Sequence, residues 1–361
     1  MVSPKTKRRF FQVIPFGIIC FGLSVVYGLI EKGILGNAAY YPSNGNPYHF
    51  SIWVPSITAF FAGILIGLLE VYLLNRLLQQ SSFIRKMLTK WVIYSFLLVG
   101  LIMVVTLIGN AYDLGLYPWD DRILKGARVF IFSFTFWSVM TYVVVGLVIC
   151  LFYNEVSDNI GQGILINFFL GKYHQPTEEE RIFMFLDMKK STTIAEELGH
   201  VVYFKMLREY YSDLSDAIVQ FGGEIYQYVG DEVIISWRHH RDRPSNKSLH
   251  CFYAMKANLQ KQRKKYEREF GVVPTFKAGL HLGEVTTGEI GVIKKEITFT
   301  GDVMNTTARI QALCNAFEVD LLLSQDLVEE LKLGSEFKPK ALGEIELRGR
   351  KEKVNLFTLY T

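Results

Sequence analysis

Two segments decide the fold of the second half of this chain: Ile182-Phe183-Met184-Phe185-Leu186-Asp187 and Glu224-Ile225-Tyr226-Gln227-Tyr228-Val229-Gly230-Asp231-Glu232-Val233-Ile234-Ile235-Ser236-Trp237. The first piece is an apolar run that ends on an aspartate, a pattern typical of a buried strand. The second predicts a hairpin in which Gly230 supplies a permissive backbone and Asp231 occupies the tip. If these strands pair, both carboxylates meet at one edge of a sheet, where they can hold two divalent cations roughly 3.5–4 Å apart.

The elements around this stretch predict an α+β domain. Apolar residues at helical spacing follow the first strand and should face a sheet: Leu207, Tyr211, Leu214, Ile218 and Phe221. Ser191 or Thr192 is the expected N-cap of the helix that begins this region. After the hairpin, a helix is expected over 248–270, with strands over 275–285, 296–300, 319–323, 344–348 and 353–360. The resulting β-α-β-β-α-β order is the ferredoxin-like arrangement.

The first 153 residues hold most of the apolar residues of a chain that is 50% hydrophobic. Four runs are long enough to cross a bilayer, which takes about 20 residues. These predicted spans are approximately 11–30, 52–74, 91–109 and 129–153. A net charge of +4 without a Lys/Arg block argues against a nucleic-acid partner, and the four cysteines form no zinc or disulfide pattern.

Basic residues cluster before the first span and between the second and third, which places both termini in the cytoplasm of a cell-membrane protein. Ala59, Gly63 and Gly67 form a small-residue stripe that favours close packing within the bundle over packing between chains. Glu70 is an acidic residue inside a span; it is either a functional intramembrane carboxylate or a side chain that reaches the interface. The predicted organisation is a four-helix membrane domain (1–153), a coupling linker (154–179) and a ferredoxin-like α+β domain (180–361).

The ordered motifs of the second half resemble the catalytic domain of class III nucleotide cyclases, from about Glu180 onward. The resemblance rests on Asp187, on Gly230-Asp231, and on Gly301-Asp302-Val303-Met304-Asn305-Thr306-Thr307-Ala308-Arg309. It implies a bacterial-type membrane adenylate cyclase that converts ATP to cyclic AMP and pyrophosphate. It further implies a homodimer in which both chains complete each active site, with two Mg²⁺ or Mn²⁺ ions per site.

The same resemblance assigns roles to individual residues on the metal and phosphate side. Asp187, Asp231 and the carbonyl of Met188 match the metal ligands of the family. The phosphate contacts match Ser191, Thr192 and Arg350, with Lys351 as a neighbouring alternative. Lys190-Ser191 departs from the Gly-Phe that usually precedes the phosphate-binding threonine.

From the partner chain, the resemblance assigns Lys277 and Thr298 to the adenine, and Asn305 and Arg309 to the transition state. Lysine and threonine can offer a donor to N1 and an acceptor to N6, whereas a guanine reader would need a carboxylate at the lysine position. Thr298 is less discriminating than aspartate, so a guanylate cyclase is the first alternative.

Two further alternatives require motifs or absences that this chain does not match. A diguanylate cyclase shares the palm but needs a Gly-Gly-Asp/Glu-Glu-Phe turn, whereas this chain has Val229-Gly230-Asp231-Glu232-Val233. A membrane sensor that uses a catalytically weak cyclase fold would not need both aspartates together with Asn305 and Arg309. The spans themselves carry no feature that identifies a signal they could sense.

Overall fold

A computed structural model describes residues 4–40, 50–74, 77–78, 83–160, 171–242, 245–293, 295–331, 333–346 and 353–360. The chain divides into two compact units, residues 7–165 and residues 166–361. The apolar run at 164–170 of the predicted linker, which the sequence leaves open as a coupling helix or a helix lying on the membrane, is outside the described residues. The predicted domain boundaries stay a prediction.

The first unit is helical. Within the described residues, four of its helices are long and apolar enough to cross a membrane. Its elements are α1 (Pro4–Leu35), α2 (Trp53–Leu69) with a π-helical turn (Glu70–Leu74), α3 (Phe83–Leu114), α4 (Asp121–Ile131) and α5 (Phe134–Ile160).

The fourth span begins later than predicted, because a separate amphipathic helix precedes it. Asp120 caps α4 by accepting a hydrogen bond from the backbone nitrogen of Arg122 at 2.9 Å. Ser133 then accepts one from the nitrogen of Phe136 at 3.2 Å, which starts α5 afresh. Two successive capping residues therefore divide what the hydropathy pattern merged into one run.

Close packing of α1 on α2 depends on the small-residue stripe. A Cβ placed on Gly63 would lie 2.5 Å from the carbonyl oxygen of Phe16, and one on Gly67 would lie 3.1 Å from that of Val13. Side chains at these positions would push the two backbones apart. The stripe thus packs inside the bundle, which is the interpretation that the sequence favoured.

Glu70 does not reach an interface; it is fully buried between three helices. Its carboxylate forms an ion pair with Lys90, accepts a hydrogen bond from Tyr94 Oη at 2.7 Å and lies 3.4 Å from Asn154 Nδ2. Burial of a charge is tolerated where an opposite charge and hydrogen bonds compensate it. This polar cluster ties α2 and α3 to α5, and it excludes the alternative in which Glu70 extends to the lipid headgroups.

The second unit is an α+β domain built on one mixed sheet. Its helices are α6 (Ser191–Leu198), α7 (His200–Gln220), α8 (Lys247–Lys261), α9 (Arg263–Phe270), α10 (Asp302–Ala312) and α11 (Gln325–Glu330). Its strands are β1 (Thr177–Met188), β2 (Glu224–Val229), β3 (Glu232–Arg238), β4 (Phe276–Ile290), β5 (Glu296–Thr300), β6 (Leu321–Ser324), β7 (Lys338–Glu346) and β8 (Lys353–Tyr360).

In the described part of this unit, the strand order is β2-β3-β1-β4-β6-β8-β7, with β5 paired to β4. All neighbours are antiparallel except β4 and β6. Because β1 lies between β3 and β4, its apolar run is buried on both faces. The predicted βαββαβ core is therefore correct.

Several boundaries differ from the sequence-based expectations. Strand β1 begins at Thr177, inside the predicted linker, and β4 continues to Ile290 through a segment expected to be a loop. The helix expected over 248–270 is two helices separated at Gln262. On α7 the fully buried stripe is Met206, Tyr210, Leu214, Ala217 and Ile218, so three of the predicted positions lie at its margin.

Candidate active site

The edge of the sheet where β1 ends holds a group of acidic side chains. Strand register puts Asp187 directly opposite Glu232 on β3 and opposite Lys277 on β4. Asp231 lies in the tight turn between β2 and β3, where Gly230 has a φ of +64° that favours glycine. The buried central strand thus fixes Asp187 in place, and the hairpin turn brings Asp231 beside it.

The electrostatics of this edge show how closely the carboxylates approach one another. Burial raises the pKa of Asp187, and the charge of Asp231 and a hydrogen bond with it raise that pKa further. Lys277 opposes the shift, since its Nζ lies 3.3 Å from Asp187 Oδ2. Burial, followed by the charges of Asp187 and Asp231, raises the pKa of Glu232 to about 7. The edge therefore carries more negative charge than its single nearby lysine neutralises.

This donor set fits hard divalent cations. Carboxylate and carbonyl oxygens are the ligands that Mg²⁺ and Mn²⁺ prefer, and Met188 follows Asp187 directly on the strand. A cation held by Asp187 and Asp231 would offset the repulsion that, together with burial, raises the pKa of Asp187. Gln311 Nε2 donates a hydrogen bond to Asp187 Oδ2 at 3.2 Å, which orients the carboxylate from α10.

The start of α6 lies close to this edge along the chain, four residues beyond Asp187. The N-cap is Lys190, not Ser191 or Thr192, and no side-chain hydrogen bond caps the helix there. Lys190 adopts a left-handed conformation with φ of +56°, which is uncommon for a residue other than glycine. Ser191 and Thr192 are the first residues of the helix, where backbone N–H groups lack intrahelical acceptors.

Helix α10 carries Asn305 and Arg309 one turn apart on the same face. Val303, Thr306 and Thr307 are buried against the sheet, whereas Asn305 is exposed and Arg309 is partly exposed. The helix lies unusually close to β4, because a Cβ on Gly279 would be only 2.4 Å from the backbone nitrogen of Gln311. Asn305 and Arg309 are therefore directed away from the sheet of their own chain.

The structure does not bring Lys277 and Thr298 together, so the proposed base-reading pair is wrong as a pair. Thr298 pairs with Gly288, which lies eleven residues along β4 from Lys277. At about 3.3 Å per residue, roughly 35 Å of strand separates Lys277 from Gly288, and therefore from Thr298 beside it. A purine cannot bridge that distance. Lys277 is instead buried against Asp187 of its own chain, whereas Thr298 is partly exposed on β5.

Arg350, with its neighbouring alternative Lys351, lies outside the described residues, which omit 347–352.

The sheet topology and the paired carboxylates are features of the class III nucleotide cyclases. The model of the "Adenylate and Guanylate cyclase catalytic domain" family matches residues 173–361, and the chain belongs to this family. Adenylate cyclase 2 of Rhizobium meliloti (strain 1021) is 32% identical over 209 residues, which are 58% of each chain. The adenylate cyclase of Anabaena cylindrica is 23% identical over 180 residues, 48% of this chain and 35% of the relative.

A solved structure of a bacterial light-regulated adenylyl cyclase shares the fold, with a TM-score of 0.53 at 18% identity. The match covers 63% of this chain and 65% of that one. The matched regions thus span 58% and 35% of the lengths of the two relatives named above.

Sequence reasoning missed two residues of the acidic edge, Glu232 and Gln311. Glu232 follows Asp231 directly, but only strand register shows that it lies opposite Asp187. Gln311 is 124 residues from Asp187 and reaches it only because α10 packs on β4. Pairing β1 with β3 in register predicts that Glu232 lies opposite Asp187. No sequence signal marks the contact of Gln311 with Asp187.

Proposed function

We propose that this chain is an adenylate cyclase held in a membrane, which converts ATP to 3′,5′-cyclic AMP and pyrophosphate. The observation that carries the proposal is the pair of Asp187 and Asp231 at one sheet edge of a cyclase-family domain. In this reaction the ribose 3′-oxygen forms a bond to the α-phosphorus as it loses its proton. The bond from the α-phosphorus to the bridging oxygen breaks, and pyrophosphate leaves with that oxygen.

Asp187, Asp231 and the carbonyl of Met188 would hold two Mg²⁺ or Mn²⁺ ions. When bound, these cations supply Lewis-acid stabilisation of the 3′-oxygen and of the leaving phosphates. Gln311 and Lys277 fix the position of the Asp187 carboxylate through the contacts described above.

The start of α6 is proposed to contact the phosphates. Ser191 and Thr192 would offer the free backbone N–H groups of the first helical turn, which favour anions. Lys190 adds a positive charge beside them, and Arg350 remains the proposed further cation. Together these groups would orient the triphosphate so that the α-phosphorus faces the 3′-oxygen.

We further propose that two copies of the chain share each active site. The exposure of Asn305 and Arg309 on the outer face of α10 supports this arrangement, because these side chains are available to a second copy. Across such an interface, Asn305 would orient the ribose and Arg309 would neutralise charge that develops on the phosphates.

Selection of the base needs a partner for Thr298 other than Lys277. Gln227 is a candidate for this partner. It follows Tyr226 in the chain, and Thr298 precedes Phe299. The ring centroids of Tyr226 and Phe299 lie 4.8 Å apart, which brings the two chain segments together. Gln227 is exposed, and its amide can both donate and accept hydrogen bonds. An amide and a hydroxyl discriminate adenine from guanine less strictly than charged groups do, so GTP is the second candidate substrate.

The four apolar helices support a location in the cell membrane, with the catalytic domain in the cytoplasm as the distribution of basic residues predicts.

The test is turnover by the full chain in nanodiscs with ATP, GTP, CTP or UTP and either Mg²⁺ or Mn²⁺. We expect cyclic AMP as the main product, and a loss of roughly a hundredfold or more in Asp231→Asn, which keeps the side-chain shape but removes a metal-binding charge. Glu197→Gln, an exposed change on α6, is the matched control. A folded preparation that forms no cyclic nucleotide would favour the catalytically weak sensor instead.

A further inference from the structure

The four spans enclose a cavity of about 380 Å³ that the cyclase chemistry does not use. Every span contributes to its wall, including Tyr27 of α1, Ala59 and Ala62 of α2, Leu101 of α3 and Gly146 of α5. The volume exists because small residues occupy positions where larger side chains would fill the bundle.

The cavity has a mouth and a floor. Pro55 and Thr58, near the beginning of α2, are exposed, whereas Ile66, Leu147 and Cys150 are buried in the middle of the bundle. The cavity therefore occupies the half of the bundle in which α2 begins. The polar cluster around Glu70 lies at the other end of α2.

Most of the wall is aliphatic or aromatic, and several of its polar groups are already paired within the protein. The pairs are Tyr142 Oη with the Leu23 carbonyl oxygen at 2.6 Å, Thr58 Oγ1 with the Val54 carbonyl oxygen at 2.9 Å, Ser56 Oγ with Ser24 Oγ at 3.4 Å, and Cys20 Sγ with Cys150 Sγ at 3.9 Å. A ligand whose polar groups lie against the aliphatic part of the wall would leave those groups without hydrogen bonds. The occupant that fits is a hydrocarbon.

The size of the cavity selects the length of that hydrocarbon. A cavity of roughly 150 Å³ lined by aliphatic side chains holds one benzene molecule. The cavity here is about two and a half times larger, which corresponds to roughly 15 carbon atoms. Left empty, its wall would lose dispersion contacts that a chain from the surrounding lipid restores.

We propose that the bundle binds the hydrocarbon chain of a lipid in this cavity, with the chain entering at Pro55 and Thr58. The chain belongs either to a phospholipid of the bilayer or to a free fatty acid, since both present the same saturated carbons. The proposal is independent of the cyclase activity, because neither the cavity nor its mouth includes a residue of the candidate active site.

The experiment is photo-crosslinking of the full chain in nanodiscs of defined phosphatidylcholine. One arm uses palmitic acid with a diazirine in its chain, and the other uses phosphatidylcholine with the same chain. Peptide mass spectrometry should find adducts on cavity residues of α1, α2 and α3. Labelling in the first arm that excess unlabelled palmitic acid removes identifies a free fatty acid, whereas labelling in the second arm alone identifies a bilayer phospholipid.

A matched pair of variants on α3 tests the site itself. Leu101→Trp fills the cavity and should reduce the cavity adducts at least tenfold, whereas Val104→Trp, on the exposed side of the same helix, should leave them unchanged. Adducts confined to exposed positions such as Phe61 and Val104 in the unaltered chain would overturn the proposal. The adduct positions in the unaltered chain test the proposal without any variant, so the test holds even if Leu101→Trp misfolds. Neither measurement depends on cyclase turnover.

Discussion

Replacing Glu232 with glutamine should stabilise the metal-free catalytic domain at pH 8 and have a much smaller effect at pH 5. Glu232 lies opposite Asp187 and next to Asp231, and burial together with these two charges raises its pKa from 4.5 to about 7. Glutamine keeps the shape of the protonated side chain and cannot acquire the charge.

The magnitude follows from the shift in pKa. In the folded state the ionised form of Glu232 is disfavoured relative to the unfolded chain, so stability is lost as the pH rises from 4.5 to about 7. The full shift corresponds to roughly 3 kcal/mol above that range. Because the side chain is partly exposed, solvent screening reduces the gain expected from glutamine to ~1–3 kcal/mol at pH 8. At pH 5 the folded protein already carries a protonated Glu232, and most of the gain disappears.

Hydrogen exchange of peptides from β1 and β3 measures this effect in the full chain without mixing in the unfolding of the helical unit. Wild type, Glu232→Gln and the exposed control Glu197→Gln are compared at pH 5 and pH 8, with and without Mg²⁺. Mg²⁺ should stabilise the wild type more at pH 8 than at pH 5. Equal protection of Glu232→Gln and wild type at pH 8, or an equal gain at both pH values, would refute the electrostatic reasoning.

Three further outcomes are expected. Mixing inactive Asp187→Ala and Arg309→Ala chains should restore part of the cyclase activity, because one composite site in each mixed dimer is intact; mixed dimers without activity would argue against shared sites. Lys90→Met should destabilise the helical unit by ~3–5 kcal/mol in thermal unfolding, since the buried Glu70 carboxylate would lose its cation. The double variant Lys90→Met/Glu70→Gln should recover much of that stability. Thr298→Ala should raise the KM for ATP roughly 5–30-fold and narrow the preference for ATP over GTP, with kcat little changed; unaltered selectivity would remove Thr298 from base recognition.

The helical unit shows how far hydropathy alone reaches. Composition predicted four spans, and the structure has four helices of sufficient length and apolarity among the described residues. Composition could not locate the break between α4 and α5, because that break depends on capping by Asp120 and Ser133 rather than on a fall in hydrophobicity. It also left two alternatives for Glu70, since the partner Lys90 lies on another helix.

In the catalytic domain, local signals predicted the acidic edge correctly. A buried strand that ends on Asp187 and a hairpin with Asp231 at its tip need only pair in register to bring the carboxylates together. The pairing of Lys277 with Thr298 rested on the resemblance alone, and the structure does not support it because eleven residues of β4 separate Lys277 from the strand partner of Thr298.

Periodicity and short motifs were enough to predict the apolar first half, the alternation of strands and helices in the second half, and the family of that second half. The polar contacts, by contrast, depend on packing: Lys277 and Gln311 with Asp187, and Lys90 with Glu70. These contacts join residues from separate elements, and their energies depend on burial and distance, which packing sets and sequence spacing does not.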